Sequence, residues 1–366
     1  MTATVTKDAR DFHRQDLKLV RERRDSLAQS SHVRQAMTDD LLNQLHQKIE
    51  GTADVADLNY SYWPCIFGFL TRATDEAITD LDGDLDLVIS HTAPSRASAV
   101  TRFLQTRDTD HDSRWYGGLF EVFAKATLFR LGQDVEFDVP LPNKRDHDIA
   151  ATICGRRIHF ECTVITNDDE SRDVWDRFLV DKKHDARRTL IRPGPYDPPN
   201  AKGPSPYYMP LRLYGKIYDK VAKNLDPTKS QCVDGEPNII LVCFAGPGVD
   251  TDHPGVGWAF EELFADLPKM PRTGVPEGLT DISLQAWADF TANSLIAANK
   301  MNVDWYCDNS NKVLAAPRRL GGAVLFDGAT FARGRLNYNA HDECVVSHAE
   351  MAELERIMSQ PCRYWL

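Results

Sequence analysis

The sequence lacks any hydrophobic run long enough to cross a bilayer. Its longest apolar stretches are Ile239–Ala245 and Cys65–Leu70, whereas a membrane-spanning helix needs about 20 apolar residues. The chain begins with MTATVTKDARDFHRQ, which carries charges where a signal peptide needs an apolar segment. We therefore expect a soluble, cytoplasmic protein that has no membrane partner.

The motifs of several common functional classes are also missing. The eight cysteines form no C-x-x-C pair, which argues against a zinc knuckle and against a disulfide framework. There is no G-x-S-x-G for a serine-hydrolase triad, and the stretch AGPGVDTDHPG lacks the Lys-Ser/Thr of a phosphate-binding loop. In DLDGDLD the glycine stands at the fourth position instead of the sixth, so we do not expect this stretch to bind calcium.

Positive charge is scarce overall but concentrated in one segment. The formal net charge is −11, which argues against a protein that coats nucleic acid over its whole surface. Residues 171–230, however, hold 13 lysines and arginines against 7 aspartates and no glutamate, a local charge of +6. This segment includes Lys182, Lys183, Arg187 and Arg188, which we expect to contact a nucleic-acid backbone, with a merely solvated surface as the alternative.

Length and hydrophobic patterning indicate an α/β protein. The 366 residues suffice for one large domain with appendages or for two ordinary domains. Because no clean composition break divides them, we expect one elaborated domain, 113–366, after a mostly helical N-terminal extension, 1–112. Within that domain we expect a core at 114–246 and C-terminal strand and helix additions at 247–366.

Hydrophobic periodicity predicts the order of elements in the core. The expected elements are a helix from Arg114 that ends at Gly132, strands over 134–142, 148–153 and 157–165, a helix over 211–225 and a central strand over 238–246. Beyond them we expect a helix around 283–300, two strands in AVLFDG and FARGRLNY, and a final helix. Ser347 and Glu350 should form a capping box at the start of that last helix.

Three acidic residues stand out by their positions in these elements. Glu121 lies in the first helix, Asp148 opens one strand of a hairpin and Glu161 lies in the other. An ionised Glu161 within an apolar strand is expensive to bury unless a cation meets it. A divalent cation such as Mg²⁺ would satisfy Glu161 and Asp148 together, since it prefers carboxylate, carbonyl and water oxygens. Asp146 competes with Asp148 in RDHD, where strand phase favours Asp148.

The order of these elements and acids resembles the αβββαβ core of the PD-(D/E)XK nuclease superfamily. The matching sequence segments are E-V-F-A-K-A-T-L-F-R-L-G, then D-I-A-A, then I-H-F-E-C-T. The resemblance implies a restriction-endonuclease-like fold with a mixed central sheet and an Mg²⁺-dependent endonuclease, with Mn²⁺ as an alternative ion, that hydrolyses DNA phosphodiesters. It implies that Asp148, Glu161 and the carbonyl of Cys162 are metal ligands and that the helix carboxylate Glu121 supports the site.

The chain departs from the family where Glu-x-Lys is expected, because Thr163 occupies the position of the lysine. That lysine orients the attacking water and stabilises the developing negative charge. Lys125, one turn after Glu121, and Lys220, on the helix at 211–225, are the two candidates for a migrated lysine. The alternative function is a catalytically inactive member that binds nucleic acid or a protein partner as a scaffold. A third hypothesis is an α/β protein unrelated to nucleic acid.

The candidate residues also have purely structural interpretations. Glu161 would then face water on an edge strand, and Glu121 would be a surface residue paired with Lys125 at i,i+4. His159 shares the face of Glu161, where it either approaches a phosphate or, as we favour, occupies an exposed strand position. The oligomeric state stays open, with a homodimer among the alternatives.

Overall fold

The computed structural model describes residues 2–51, 64–106, 112–166, 213, 216–217, 220–221, 227–245, 260, 264 and 316–365. The chain divides into two compact units. The helical unit comprises Met1–Arg130 and Gln360–Leu366, and the sheet unit comprises Leu131–Ser359. The helix expected around 283–300 and the basic residues Lys182, Lys183, Arg187 and Arg188 lie outside the described residues. The domain boundary expected after residue 112 stays a prediction.

The helical unit is built from amphipathic α-helices, as the charged and periodic pattern of residues 1–50 predicts. In α3 the first turn carries Asp39 and Asp40, which favour a helix start, and a buried stripe recurs at Leu42, Leu45 and Ile49. The helices of this unit are α1 (Thr2–Ser26), α2 (His32–Ala36), α3 (Asp39–Gly51), α4 (Cys65–Arg72), α5 (Asp75–His91), α6 (Ala97–Val100) and α7 (Asp112–Leu131, whose last residue belongs to the sheet unit).

The acidic stretch DLDGDLD lies inside α5 and forms regular helix. Thr74 caps this helix by accepting a hydrogen bond from the backbone N–H of Ala77 at 3.2 Å. A calcium-binding loop needs a non-helical backbone around its ligands. The helical geometry therefore agrees with the sequence argument against calcium binding.

Helix α7 is buried on more than one face. Besides Leu119 and Phe123, which are four positions apart, residues such as Phe120, Leu128 and even Lys125 are buried. A helix covered on several sides loses the clear apolar stripe of a surface helix.

A close packing contact accounts for a glycine in α7. A side chain at Gly118 would clash with the ring of Phe103, so this position requires glycine.

The sheet unit contains one mixed sheet of six strands in the order β1-β2-β3-β4-β5-β6. Neighbours pair antiparallel from β1 to β3, parallel from β3 to β5, and antiparallel again between β5 and β6. The strands are β1 (Gln133–Pro140), β2 (Asp146–Ile153), β3 (Arg156–Ile165), β4 (Asn238–Phe244), β5 (Gly322–Asp327) and β6 (Thr330–Leu336). The expected α/β class and mixed sheet are confirmed.

Local sequence explains most of these strands. Cys154 and Gly155 both have positive φ, at 51° and 81°, which is the backbone of a two-residue hairpin turn. Every residue of β4 is buried, as its continuous apolar run predicts for a central parallel strand. Strand β2 begins at Asp146, two residues before the expected start, because Val139 and Pro140 of β1 extend the pairing.

The C-terminal helix α8 (His348–Met358) has the capping box that the sequence predicts. The backbone N–H of Glu350 donates to Ser347 Oγ at 3.2 Å, and the N–H of Ser347 donates to Glu350 Oε2 at 2.6 Å.

No helix among the described residues is both long and apolar enough to span a membrane.

Candidate active site

The two acidic residues of the site, Asp148 and Glu161, lie where β2 and β3 stop pairing. Ile149 and Phe160 are the last paired residues at this end of the two strands. Beyond them, the N–H of Asp148 donates to Glu161 Oε1 at 3.2 Å, and the N–H of Cys162 donates to Asp148 Oδ2 at 2.7 Å. Each carboxylate therefore bonds to the backbone of the opposite strand, which holds both acids at the point where the strands separate.

Glu161 is buried in the middle of the sheet. Its side chain is 3% exposed, and β3 lies between β2 and β4, so the interpretation of Glu161 as an edge residue facing water is wrong. Its Oε2 accepts hydrogen bonds from Lys220 Nζ at 2.9 Å and from Gln231 Nε2 at 3.0 Å. The cationic partner that the burial of this glutamate requires is therefore Lys220.

Lys220 reaches the acids from a helical segment in which residues 213, 216, 217, 220 and 221 are described. Leu213, Ile217 and Val221 are fully buried there, at the four-residue spacing of one helix face. Lys220 Nζ lies 2.9 Å from Glu161 Oε2 and 4.0 Å from Asp148 Oδ2. The structure thus brings Asp148, Glu161 and Lys220 together, and Lys220 is not a solvated surface residue.

The charges of this cluster explain its pKa shifts. Burial and the nearby Asp148 raise the pKa of Glu161 well above its usual range, although Lys220 opposes the shift. Burial alone would lower the pKa of Lys220, but the carboxylates of Glu161 and Asp148 outweigh it and raise that pKa. The charge imbalance contributes to both shifts, since a single ammonium neutralises only one of two carboxylates. The cluster therefore favours one further positive charge, either a proton on Glu161 or a cation.

Two buried histidines, His147 and His159, form a row of hydrogen-bonding contacts beside the cluster. His147 Nε2 lies 2.6 Å from His159 Nδ1, and His159 Nε2 lies 2.6 Å from Glu236 Oε2. His147 Nδ1 faces the carbonyl of Gln231 at 3.4 Å and Glu161 Oε1 at 3.9 Å. Since His159 is buried, its interpretation as an exposed strand residue is wrong.

Burial determines the protonation state of His147. Together with the nearby His159 and Lys220, burial lowers the pKa of His147 to about 4. His147 is therefore neutral at pH 7.

Gln231 is a site residue that sequence reasoning missed. It lies between a 3₁₀ turn (Pro227–Lys229) and β4, and its amide contacts Glu161 across 70 positions of the sequence. A single glutamine in a polar loop has no local signal of function. Its contact with Glu161 depends entirely on the tertiary fold.

Glu121 and Lys125 belong to the helical unit, where they pair with each other. Lys125 Nζ donates to Glu121 Oε1 at 2.6 Å, and the two side chains are 2% exposed for the lysine and 40% exposed for the glutamate. The i,i+4 pair that the sequence offered as the structural interpretation is thus formed, although its lysine is buried. Catalytic roles for Glu121 and Lys125 stay predictions.

The donor atoms of Asp148 and Glu161 suit a hard cation. Mg²⁺ prefers carboxylate and carbonyl oxygens, and the excess negative charge beside Lys220 would be neutralised by it. Among the described residues, no three His, Cys, Asp or Glu side chains are grouped to hold a metal ion. The predicted ligand set has two carboxylates, and its third member is a backbone carbonyl, that of Cys162.

In comparisons with protein families, curated proteins and solved structures, nothing matches this chain.

Proposed function

We propose that the chain is a PD-(D/E)XK-like, Mg²⁺-dependent endonuclease that hydrolyses DNA phosphodiesters. The order α7, β1, β2, β3, helical segment, β4 supports this proposal, because it follows the αβββαβ order of that superfamily. The observation that carries it is the position of Lys220, whose Nζ lies 2.9 Å from Glu161 and 4.0 Å from Asp148. Lys220 would supply the positive charge of the motif lysine, whose position Thr163 occupies.

In this proposal Asp148, Glu161 and the carbonyl of Cys162 hold the metal ion. When bound, Mg²⁺ supplies Lewis-acid polarisation of a phosphoryl oxygen. Lys220 orients the attacking water and stabilises the negative charge that develops as the phosphorus–oxygen ester bond breaks. Because the sheet and its backbone hydrogen bonds fix both carboxylates, the site is arranged before substrate arrives.

A supercoiled-plasmid nicking assay with Mg²⁺ or Mn²⁺, run beside a gel shift, tests this function. We expect nicking that EDTA abolishes and that Glu161→Ala removes while DNA binding persists, because a metal ligand acts chiefly on the transition state. Glu22→Ala is the matched control, since Glu22 forms an exposed pair with Lys18 at 3.7 Å. Robust cleavage that survives Glu161→Ala would locate the active site elsewhere in the chain.

The DNA partner is proposed from the basic segment 171–230. Changing Lys182, Lys183, Arg187 and Arg188 to Glu should weaken DNA binding and flatten its salt dependence, since each lost phosphate contact removes about 0.9 from the slope of log K against log salt. The control is Lys18→Glu. An unchanged gel shift in the fourfold variant would contradict the proposed surface.

A catalytically inactive nucleic-acid-binding scaffold is the second candidate function. Thr163 favours it, and so does the engagement of both Glu161 oxygens by Lys220, Gln231 and the N–H of Asp148. A Thr163→Lys variant restores the Glu-x-Lys motif of the family. Mg²⁺-dependent nicking gained by this variant from an inactive parent would identify a decayed nuclease, whereas nicking by the parent itself would exclude this candidate.

A further inference from the structure

Gln231 contacts every chain segment that contributes to the cluster of Asp148, Glu161 and Lys220. Its side-chain amide donates to Glu161 Oε2 at 3.0 Å and to the carbonyl of Asp146 at 3.3 Å. Its backbone N–H donates to the carbonyl of Lys220 at 2.8 Å. One residue therefore links the glutamate on β3, the start of β2 and the helical turn that carries the lysine.

The loop around Gln231 is itself fixed at both ends. Asn143 donates through its side chain to the carbonyl of Ser230 at 2.7 Å and to that of Thr228 at 3.2 Å. On the other side, Asn238 accepts from the N–H of Val233 at 2.8 Å and donates to the carbonyl of the same residue at 2.9 Å. A loop held in this way gives the Gln231 amide a defined position.

The two amide hydrogens of Gln231 have separate partners. One bonds to Glu161 Oε2, the oxygen that also accepts from Lys220, and the other bonds to a backbone carbonyl. This arrangement directs Oε2 towards the ammonium and leaves Oε1 towards Asp148, whose N–H donates to it. The orientation of the carboxylate is thus set by a neutral donor that adds no charge to the cluster.

From these contacts we infer that Gln231 is a positioning residue, which fixes the Glu161 carboxylate relative to Lys220 and thereby sets the affinity of the site for a divalent cation. The metal part of this inference rests on the proposed function. The positioning part rests only on the contacts of Gln231, so the two parts are tested separately. Outer residues that orient metal ligands typically contribute 10–100-fold to metal affinity or activity.

The test for the metal part compares Gln231→Met with Gln133→Met, the same substitution at an exposed residue of β1. Methionine keeps the length of glutamine but donates no hydrogen bond. Mn²⁺ binding to the DNA-free protein, followed by electron paramagnetic resonance, should weaken by about 10–100-fold in Gln231→Met and stay unchanged in Gln133→Met. The kcat for plasmid nicking should fall by a similar factor with little change in KM. Equal Mn²⁺ affinity in the two variants would overturn the inference.

The test for the positioning part needs neither metal nor cleavage. In metal-free protein, the ¹⁵N signal of the Lys220 ammonium, identified by its absence in Lys220→Met, should be lost through faster hydrogen exchange in Gln231→Met. An unchanged signal would overturn the positioning role. If the wild type neither binds Mn²⁺ nor cleaves DNA, the proposed function fails, and the ammonium signal alone decides the role of Gln231. Gln231→Asn, which keeps an amide on a shorter side chain, serves if the methionine variant does not fold.

Discussion

Two lysine–glutamate pairs of similar length stand in different surroundings. In the helical unit, Lys125 donates to Glu121 at 2.6 Å, and in the sheet unit, Lys220 donates to Glu161 at 2.9 Å. Glu121 is 40% exposed, so water solvates it, whereas Glu161 is 3% exposed and shares its surroundings with Asp148. The second pair belongs to a cluster in which two carboxylates face a single ammonium, whereas the carboxylate of the first pair is in contact with water.

The comparison shows that distance alone does not identify a functional ion pair. A buried pair that is neutral overall can be replaced by apolar side chains at little cost, because its mutual attraction mainly offsets its desolvation. A cluster with an uncompensated carboxylate gains stability from a further cation. The sheet unit therefore holds the pair whose cluster a further cation would stabilise, and substitutions at both lysines can test this difference.

The largest expected effect is on stability. Lys220→Met leaves the Glu161 carboxylate buried without its cation, which should cost about 3–5 kcal/mol of the free energy of unfolding. Lys125→Met removes the buried ammonium, leaves Glu121 accessible to water and keeps an apolar side chain of similar length, so we expect a change below about 1 kcal/mol. Urea unfolding of both variants in EDTA measures this. Equal losses would show that the two environments do not differ energetically.

The next effect concerns the rate of DNA cleavage. If Lys220 is the migrated lysine, Lys220→Met should lower the nicking rate by about 10²–10³-fold, as expected for the loss of one stabiliser of transition-state charge. Lys125→Met should leave the rate within about threefold of the wild type, since its buried ammonium is engaged by Glu121. Single-turnover nicking at saturating enzyme separates this effect from DNA binding. The opposite ranking would assign the lysine role to Lys125.

The elements themselves could largely be predicted from the sequence, because their signals are local. The hairpin at Gly155, the apolar run of β4 and the capping box of Ser347 and Glu350 each depend on residues only a few positions apart. The need of Glu161 for a cation could also be predicted, since burial in an apolar strand is costly for any carboxylate.

The partners of Glu161 could be predicted only in part. Lys220 was one of two candidates for the migrated lysine, and the fold was needed to show that it, 59 positions away, contacts Glu161. Gln231, 70 positions away, had no signal in the sequence. The contact between His147 and His159 could not be predicted either, because the two residues lie on different strands, 12 positions apart. Sequence patterns therefore located the strands of the site, while its hydrogen-bond network required the fold.

A third effect is the pH dependence of stability in metal-free protein. The pKa of Glu161 is raised in the folded state, so the native protein binds this proton more tightly than the unfolded chain does. The stability due to Glu161 is then present at low pH and lost as the pH rises through the folded pKa, by about 1.4 kcal/mol for each tenfold difference in proton affinity between the two states. Glu161→Gln should consequently gain stability relative to the wild type between pH 5 and pH 8. Urea unfolding in EDTA at these two pH values measures the gain, and a constant difference would contradict the raised pKa.

The smallest expected effect is at Glu121, the carboxylate that the family resemblance places beside the metal. Glu121→Gln keeps an oxygen that can accept from Lys125 and removes only a half-exposed charge, so we expect a loss of about 0.5–1 kcal/mol in stability. If Glu121 only pairs with Lys125, nicking by this variant should stay within about tenfold of the wild type, and Mn²⁺ affinity should not change. Asp148→Asn is the matched comparison, because it removes a carboxylate from the cluster and should abolish both. A loss of Mn²⁺ binding in Glu121→Gln would mean that the helical unit contributes a third carboxylate to the metal site, and the contrast between the two lysine–glutamate pairs would then fail.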